Sequence, residues 1–213
     1  MKNIDPNSSF DQLADRYDSW FDRHAAVFQS ELEALKKVVP KNGKGLEVGV
    51  GSGRFAEALG IKTGIEPSEK FREMAKSRGI HVFEGIAEAL PFPDKQFDFI
   101  LLTTVICFLD SPLKGLEEAK RVLKSNGILI IGMIDRQSEL GLQYEKRKQD
   151  NPLYQHAHFY AVDNVLAMLK QSGFAHKEIY QTVFSPLDEI KSTEPIKSGH
   201  GEGGFVVIKA VIL

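Results

Sequence analysis

The chain has 213 residues, 42% hydrophobic and 26% charged, a balance that allows a sizeable core and excludes disordered, collagenous and coiled-coil proteins. Its 27 lysines and arginines against 29 aspartates and glutamates leave a formal charge of -2, too even for a protein held on nucleic acid by phosphate contacts. The single cysteine, Cys107, cannot close an internal disulfide and no Cys/His cluster has zinc-ligand spacing, so neither a disulfide framework nor a metal site is expected.

The start, Met1 to Pro6, has no apolar run of signal-peptide length. The longest uncharged apolar runs, Phe99 to Leu109 and Gly127 to Ile134, fall short of the roughly 20 residues that span a bilayer. No membrane span and a cytoplasmic location are expected. From Ser9 to about Val39 apolar residues recur at three- and four-residue steps (Phe10, Leu13, Tyr17, Trp20, Phe21, then Val27, Phe28, Leu32, Leu35, Val38), which predicts two amphipathic helices. Asn7, Ser8 and Ser9 offer N-cap oxygens to the first, and Pro40 with Asn42 and Gly43 stops the second.

From Gly45 to Gly132 short apolar runs alternate with helical segments. Strands are expected at Leu46 to Val50, Gly64 to Glu66, His81 to Phe83, Phe97 to Val105 and Ile128 to Ile134, with helices from about Gly53, from Ser68 to Ser77 and from Pro112 to Leu123. That rhythm predicts parallel strands joined by right-handed crossovers, with helices on both faces of an open sheet. Ligands of such sheets bind outside the carboxyl ends of the strands. Asp135 to Ala161 is polar and part helical, as lids and binding loops are. A helix from Val162 to Ser172, stopped by Gly173, precedes extended runs at about His176 to Phe184 and Gly204 to Leu213. Ser185 to Gly204 between them, with Gly199-His200-Gly201-Glu202-Gly203-Gly204, reads as a turn-rich connection.

The stretch Leu46-Glu47-Val48-Gly49-Val50-Gly51-Ser52-Gly53-Arg54-Phe55 runs an apolar strand into three alternate glycines and then a helix. Glycine removes the Cβ and accepts unusual backbone angles, so a ligand can lie against the main chain and meet N–H groups at the helix start. A tight strand-to-helix turn alone is the other reading. A dinucleotide fingerprint started at Gly49 needs a third glycine at position 54, where this chain has Arg54, and Glu47 stands in the strand where it suits an ammonium group. Both weaken a nicotinamide reading. Glu66, in Gly64-Ile65-Glu66-Pro67, ends the next strand, where a carboxylate accepts from both ribose hydroxyls; a solvated loop carboxylate is its alternative.

Taken with Gly85-Ile86-Ala87-Glu88-Ala89-Leu90-Pro91-Phe92-Pro93-Asp94, Phe97-Asp98-Phe99-Ile100 and Arg121-Val122-Leu123-Lys124-Ser125-Asn126-Gly127, these runs resemble the ordered motif series of class I S-adenosylmethionine-dependent methyltransferases. They most resemble the small-molecule branch that includes ubiquinone and menaquinone biosynthesis C-methyltransferases. The likeness covers about Gly45 to Asp135, with Tyr17-Asp18 and His158-Phe159-Tyr160 as matching flanks. It implies an α/β, Rossmann-like fold with a seven-stranded, mostly parallel sheet and an antiparallel C-terminal edge strand. It also implies S-adenosyl-L-methionine as cofactor and S-adenosyl-L-homocysteine as product. One domain, 1–213, is expected: a helical preface (1–43), a cofactor-binding core (44–135), an acceptor-site insertion (136–160), and a C-terminal helix and edge hairpin (161–213).

By that resemblance the methionine end lies on Glu47, Gly49, Val50, Gly51 and Gly53 and the ribose on Glu66. Adenine sits beside Pro67, Ile86 and Ala87, Thr103 and Thr104 flank the sulfonium, and Tyr17 closes over the methionine end. Relatives commonly carry aspartate where this chain has Ile86, so adenine is left to apolar contact and backbone. Methyl transfer needs alignment and exclusion of water, and a base only sometimes. His156, His158, His24 and Asp135 are the candidate bases; capping or loop roles are their alternatives. Cys107 reads as a small buried hydrophobe rather than a nucleophile, and Phe108 as substrate wall or core. The chain lacks an Asn-Pro-Pro-Tyr motif, a Pro-Cys pair and a basic tract, so a small-molecule acceptor is expected. A non-catalytic S-adenosylmethionine-binding sensor or partner module and a nicotinamide-dependent oxidoreductase are the competing functions.

Overall fold

The computed structural model describes residues 6–213. Helices α1 (Pro6–Arg23) and α2 (Ala25–Lys36) precede a regular alternation: β1 (Gly45–Val48), α3 (Arg54–Leu59), β2 (Thr63–Ile65), α4 (Glu69–Ser77), β3 (His81–Phe83), β4 (Phe97–Thr103), α5 (Pro112–Val122) and β5 (Leu123–Ile134). Then follow α6 (Glu139–Arg147), α7 (Val162–Gln171), β6 (Phe174–Thr182), β7 (Lys197–Ser198) and β8 (Phe205–Ile212). One sheet holds all eight strands in the order β3-β2-β1-β4-β5-β8-β6-β7. β1 to β5 pair in parallel, whereas β8 runs antiparallel to both β5 and β6, and β7 antiparallel to β6.

Strand β4 shows why the sheet is covered on both faces. Ile100 and Leu102 pack with Leu116 and Ala119 of α5 and Val165 of α7. Their neighbours Phe99 and Leu101 pack with Leu32 and Leu35 of α2 and Phe55 of α3. The period of two in side-chain direction serves two cores at once, which is why the run is continuously apolar. A bulge between Phe97 and Phe99 resets this period, so that Phe97 shares the face of Ile100. The helices that flank the strands are bounded as their residues dictate: the Ser68 hydroxyl accepts from the Phe71 N–H at the start of α4, and left-handed Gly60 ends α3.

The mostly parallel sheet with antiparallel C-terminal strands matches the expectation, with three differences. An eighth strand, the two-residue β7, forms inside the turn-rich 185–204 connection, where Gln181 and Tyr180 of β6 recruit Lys197 and Ser198. The C-terminal strand β8 is not the edge; it is inserted between β5 and β6, leaving β6 and its short partner outside. Strand β5 reaches back to Leu123, because Leu123 pairs with Phe97 across the bulge. At the other end of the chain, α1 already includes Asn7, Ser8 and Ser9, so these positions lie within its backbone rather than before it.

The chain leaves β1 in one direction toward β2 and β3 and returns on the other side of β1 as β4. This reversal opens a crevice at the carboxyl ends of β1 and β4, the place where open α/β sheets take ligands. Among the described residues no helix is long and apolar enough to cross a membrane. No group of three or more His, Cys, Asp or Glu among them could hold a metal ion.

Candidate functional site

Two adjoining cavities occupy that crevice. The first, about 340 Å³, is walled by the loop after β1, the end of β2, the 85–88 segment and the end of β4. Its floor is backbone. Gly49 has φ 67°, and a Cβ there would overlap the Val105 side chain; Gly51 has φ 53°, and its Cβ would project toward the Tyr17 ring 3.9 Å away. Side chains at these positions would strain the turn and fill the cleft. Glu66 borders the cavity, accepting from the Gly51 N–H at 3.0 Å and the Ser68 N–H at 3.0 Å. Burial holds its carboxyl above the ordinary range, opposed by those two hydrogen bonds.

Of the other sequence-selected residues, Tyr17, Pro67, Ile86, Ala87, Thr103 and Thr104 also border this cavity. The Thr103 hydroxyl is buried there without a hydrogen-bond partner. Ile86 is 49% exposed and presents an apolar flank to the same wall. Glu47, Val50 and Gly53 are not in the lining. Glu47 is buried and keeps Oε2 without a partner; burial pushes its carboxyl well up, opposed by the nearby Ala56 N–H in the first turn of α3. Val50 packs toward Gly64, and a Cβ on Gly53 would meet Ala75 and Ile80. These three shape the loop from behind. The wall as a whole suits a ligand with a flat apolar end, a hydroxyl-bearing middle and a polar tail against backbone N–H groups.

The second cavity, about 160 Å³, lies under α1 and is lined by a cluster of rings, among them Tyr17, Trp20, Phe21, Phe55, Tyr144, Tyr154 and Phe159, together with aliphatic and polar side chains. Tyr17, Thr104, Leu153 and Tyr154 border both cavities. Burial raises the Tyr17 hydroxyl well above its ordinary value, opposed by the nearby Thr104 side chain. Thr104 has φ 55°, a left-handed conformation that a β-branched residue rarely adopts and that concentrates at functional sites. Its hydroxyl donates to the Thr103 carbonyl at 2.8 Å. Cys107 lies in the wall, donates to the Thr104 carbonyl at 3.5 Å, and burial pushes its thiol up to about 12, so it is no nucleophile at neutral pH. Phe108 borders the first cavity and stacks on Tyr154.

Helix α1 is fastened over both cavities by carboxylates at 11, 15, 18 and 22, one stripe of the helix. Asp11 accepts from Ser68 and Lys70, and Asp15 pairs with Lys70. Asp18 takes a two-pronged contact from Arg54 at 2.9 and 2.7 Å and a further one from Arg78 at 3.0 Å, while Asp22 receives Arg54 at 2.6 Å. Despite some burial cost, these hydrogen bonds and charges hold the Asp18 carboxyl down at about 2. Arg54, the residue that departs from the dinucleotide fingerprint, thus ties the lid helix to the glycine loop.

None of the four candidate bases borders either cavity. His156 and His158 are exposed, alternating with buried Ala157 and Phe159; in that extended stretch the histidines take the outward positions. His24 stacks on Trp20 and stands 3.9 Å from Asp188. Asp135 is buried in a turn, accepting from the Gln137 N–H at 3.1 Å. The residue missed by sequence reading is Glu31, a buried carboxylate in the wall of the second cavity. Its signal was present: it stands four residues from Val27 and four from Leu35, on the apolar stripe of α2, where a charge is out of place.

Comparison with known proteins gives a family model described as a methyltransferase domain, which matches residues 46–131. A crystal structure from Thermotoga maritima, titled an S-adenosylmethionine-dependent methyltransferase and possible histamine N-methyltransferase, is 43% identical. It superposes with a TM-score of 0.94 over 97% of this chain and 99% of that one. An uncharacterized protein of Methanocaldococcus jannaschii is 48% identical over 94% of this chain and 97% of its own. A ubiquinone/menaquinone biosynthesis C-methyltransferase of Rickettsia bellii is 27% identical over 93% of this chain and 84% of its own.

Proposed function

The chain belongs to the class I S-adenosylmethionine-dependent methyltransferases, and on that premise we propose that residues 1–213 form one domain that methylates a small-molecule acceptor. The observation that carries this reading is the wall shared by the two cavities, Tyr17, Thr104, Leu153 and Tyr154. A cofactor in the first and an acceptor in the second would meet across it. The cofactor supplies, when bound, a methyl group on a positively charged sulfur.

The residues of the first cavity suit this cofactor. Glu66 accepts from the ribose hydroxyls, and Gly49 and Gly51 leave the main chain open to the methionine end, where the Thr103 hydroxyl finds a partner. Pro67, Ile86 and Ala87 form the apolar slot for adenine. Glu47, Val50 and Gly53 hold the loop in shape. The chain's own contribution is alignment and dryness: α1 excludes water, and aromatic walls fix the acceptor. A cavity of about 160 Å³ beside the cofactor's place favours an enzyme over a cofactor-binding module without catalysis.

Calorimetric titration with S-adenosylmethionine and S-adenosylhomocysteine tests this reading. Saturable binding is expected, weakened roughly 10- to 100-fold in Glu66→Ala as a charged hydrogen-bond acceptor is lost. Absence of binding by the folded protein, or binding of nicotinamide dinucleotides in its place, would overturn it.

A further inference from the structure

The second cavity contains a carboxylate that the packing of the fold does not explain. Glu31 is 4% exposed, and among the described residues no hydrogen bond or ion pair reaches it. Its neighbour Ser30 has a clear structural task, donating to the Ala26 carbonyl at 2.7 Å and accepting from the Glu194 N–H at 2.9 Å. Glu31 has none. A buried carboxylate without a partner is costly and is kept where a ligand provides the partner.

The surroundings say which kind of partner. Ring faces of tyrosine, tryptophan and phenylalanine carry negative potential and attract cations, and eight of the 18 residues that line this cavity are aromatic. An acid would be repelled by the ring faces, and by Glu31 wherever it is ionised, and an alcohol would gain only a hydrogen bond. A cation gains from both. Arg16 and Arg23 of α1 also border the cavity, but they are exposed, where water and salt screen them.

We propose that the second cavity recognises the ammonium group of an amine acceptor, with Glu31 as its counter-ion and proton acceptor and the rings around its apolar body. This rests on the methyl-transfer reading and names its substrate class. An ammonium nitrogen has no lone pair to share. Its proton passes to Glu31: the N–H bond breaks with its electron pair left on nitrogen, and an O–H bond forms on the carboxylate, giving a neutral amine nucleophile. Burial pushes the Glu31 carboxyl up to about 8, a range suited to that exchange. Apart from the exposed Arg16 and Arg23 at its border, the other titratable groups of the wall stay neutral there. Tyr17, Cys107, Tyr144, Tyr154 and Tyr160 are all pushed upward, with burial the first cause.

The test uses the full chain saturated with S-adenosylhomocysteine and titrated calorimetrically with benzylamine and 2-phenylethylamine, with 2-phenylethanol and phenylacetate as neutral and acidic counterparts. An amine is expected to bind at least about tenfold more tightly than the alcohol, and Glu31→Gln to weaken it by about thirtyfold or more without changing S-adenosylhomocysteine affinity. Carbon-13 NMR of the Glu31 carboxyl adds a readout that a structural role would not move: its titration midpoint is expected to fall from about 8 when amine saturates the site. Equal binding of the alcohol, unchanged amine binding in Glu31→Gln, or no amine binding by a protein that holds S-adenosylhomocysteine would each overturn the proposal. Failure to bind S-adenosylhomocysteine would instead overturn the reading beneath it.

Discussion

The two cavities are built by opposite means. The first is made largely of backbone, from the Gly49–Gly53 turn and the ends of adjacent strands, with Glu66 set among main-chain N–H groups. The second is made of side chains, from α1, α2, the turn after β4, α6 and the 151–160 segment, that meet only when the chain is folded. Backbone cavities depend on what residues leave out. Side-chain cavities depend on what distant elements bring together, and so the chemistry of the second can change while the first stays the same.

The largest expected effect comes from filling the backbone cavity. Gly51→Val puts a β-branched residue at φ 53° and sends its branches toward the Tyr17 ring. S-Adenosylhomocysteine affinity should fall at least about a hundredfold. The folded content should remain, checked by circular dichroism. Near-normal binding by this variant would show that the first cavity is not the cofactor's.

Next comes a pH effect confined to the side-chain cavity. Glu31 has a folded-state midpoint of about 8 against an ordinary 4.5, so between these values the folded protein holds a proton that the unfolded chain has released. Stability from this group is therefore full below about pH 4.5 and is lost as pH rises toward 8. Glu31→Gln removes that loss. Its stability relative to the parent should be flat near pH 4 and improve by roughly 1–3 kcal/mol by pH 8, allowing for the cost of a buried amide. Thermal or urea unfolding at several pH values measures it; a difference independent of pH would mean that Glu31 does not titrate in this way.

The same contrast explains what could be read from the residues. The place of Glu66 beside the first cavity was legible because its signal is local: a strand, an acid, a proline, following a glycine turn at the proper distance. The alternation from Leu46 to Ile134 was legible because each strand carries its own period. Glu31 was not, since within Gln29-Ser30-Glu31-Leu32-Glu33 it resembles any helical glutamate, and only the neighbours Val27 and Leu35 mark its side of α2 as buried. The α1 carboxylates were missed for a related reason. Asp18 and Asp22 look like a solvated face until Arg54 and Arg78 arrive from elsewhere in the chain. β8 likewise has the apolar pattern of a central strand, but its neighbours are set by tertiary pairing rather than by chain order.

The smallest expected effect concerns the histidines that sequence alone put forward as bases. His156 and His158 lie in the segment that supplies Tyr154 and Phe159 to the second cavity, yet Ala157 and Phe159 take its inward positions. The His158 main chain is what matters, its N–H donating to the Cys107 carbonyl at 2.7 Å, and that bond survives replacement of the ring. His156→Ala and His158→Ala should therefore shift stability by less than about 0.5 kcal/mol. They should leave amine binding and its pH profile as in the parent. A lost alkaline or acidic limb in either variant would move the proton-accepting role from Glu31 to an imidazole, and with it the claim that the second cavity carries its own base.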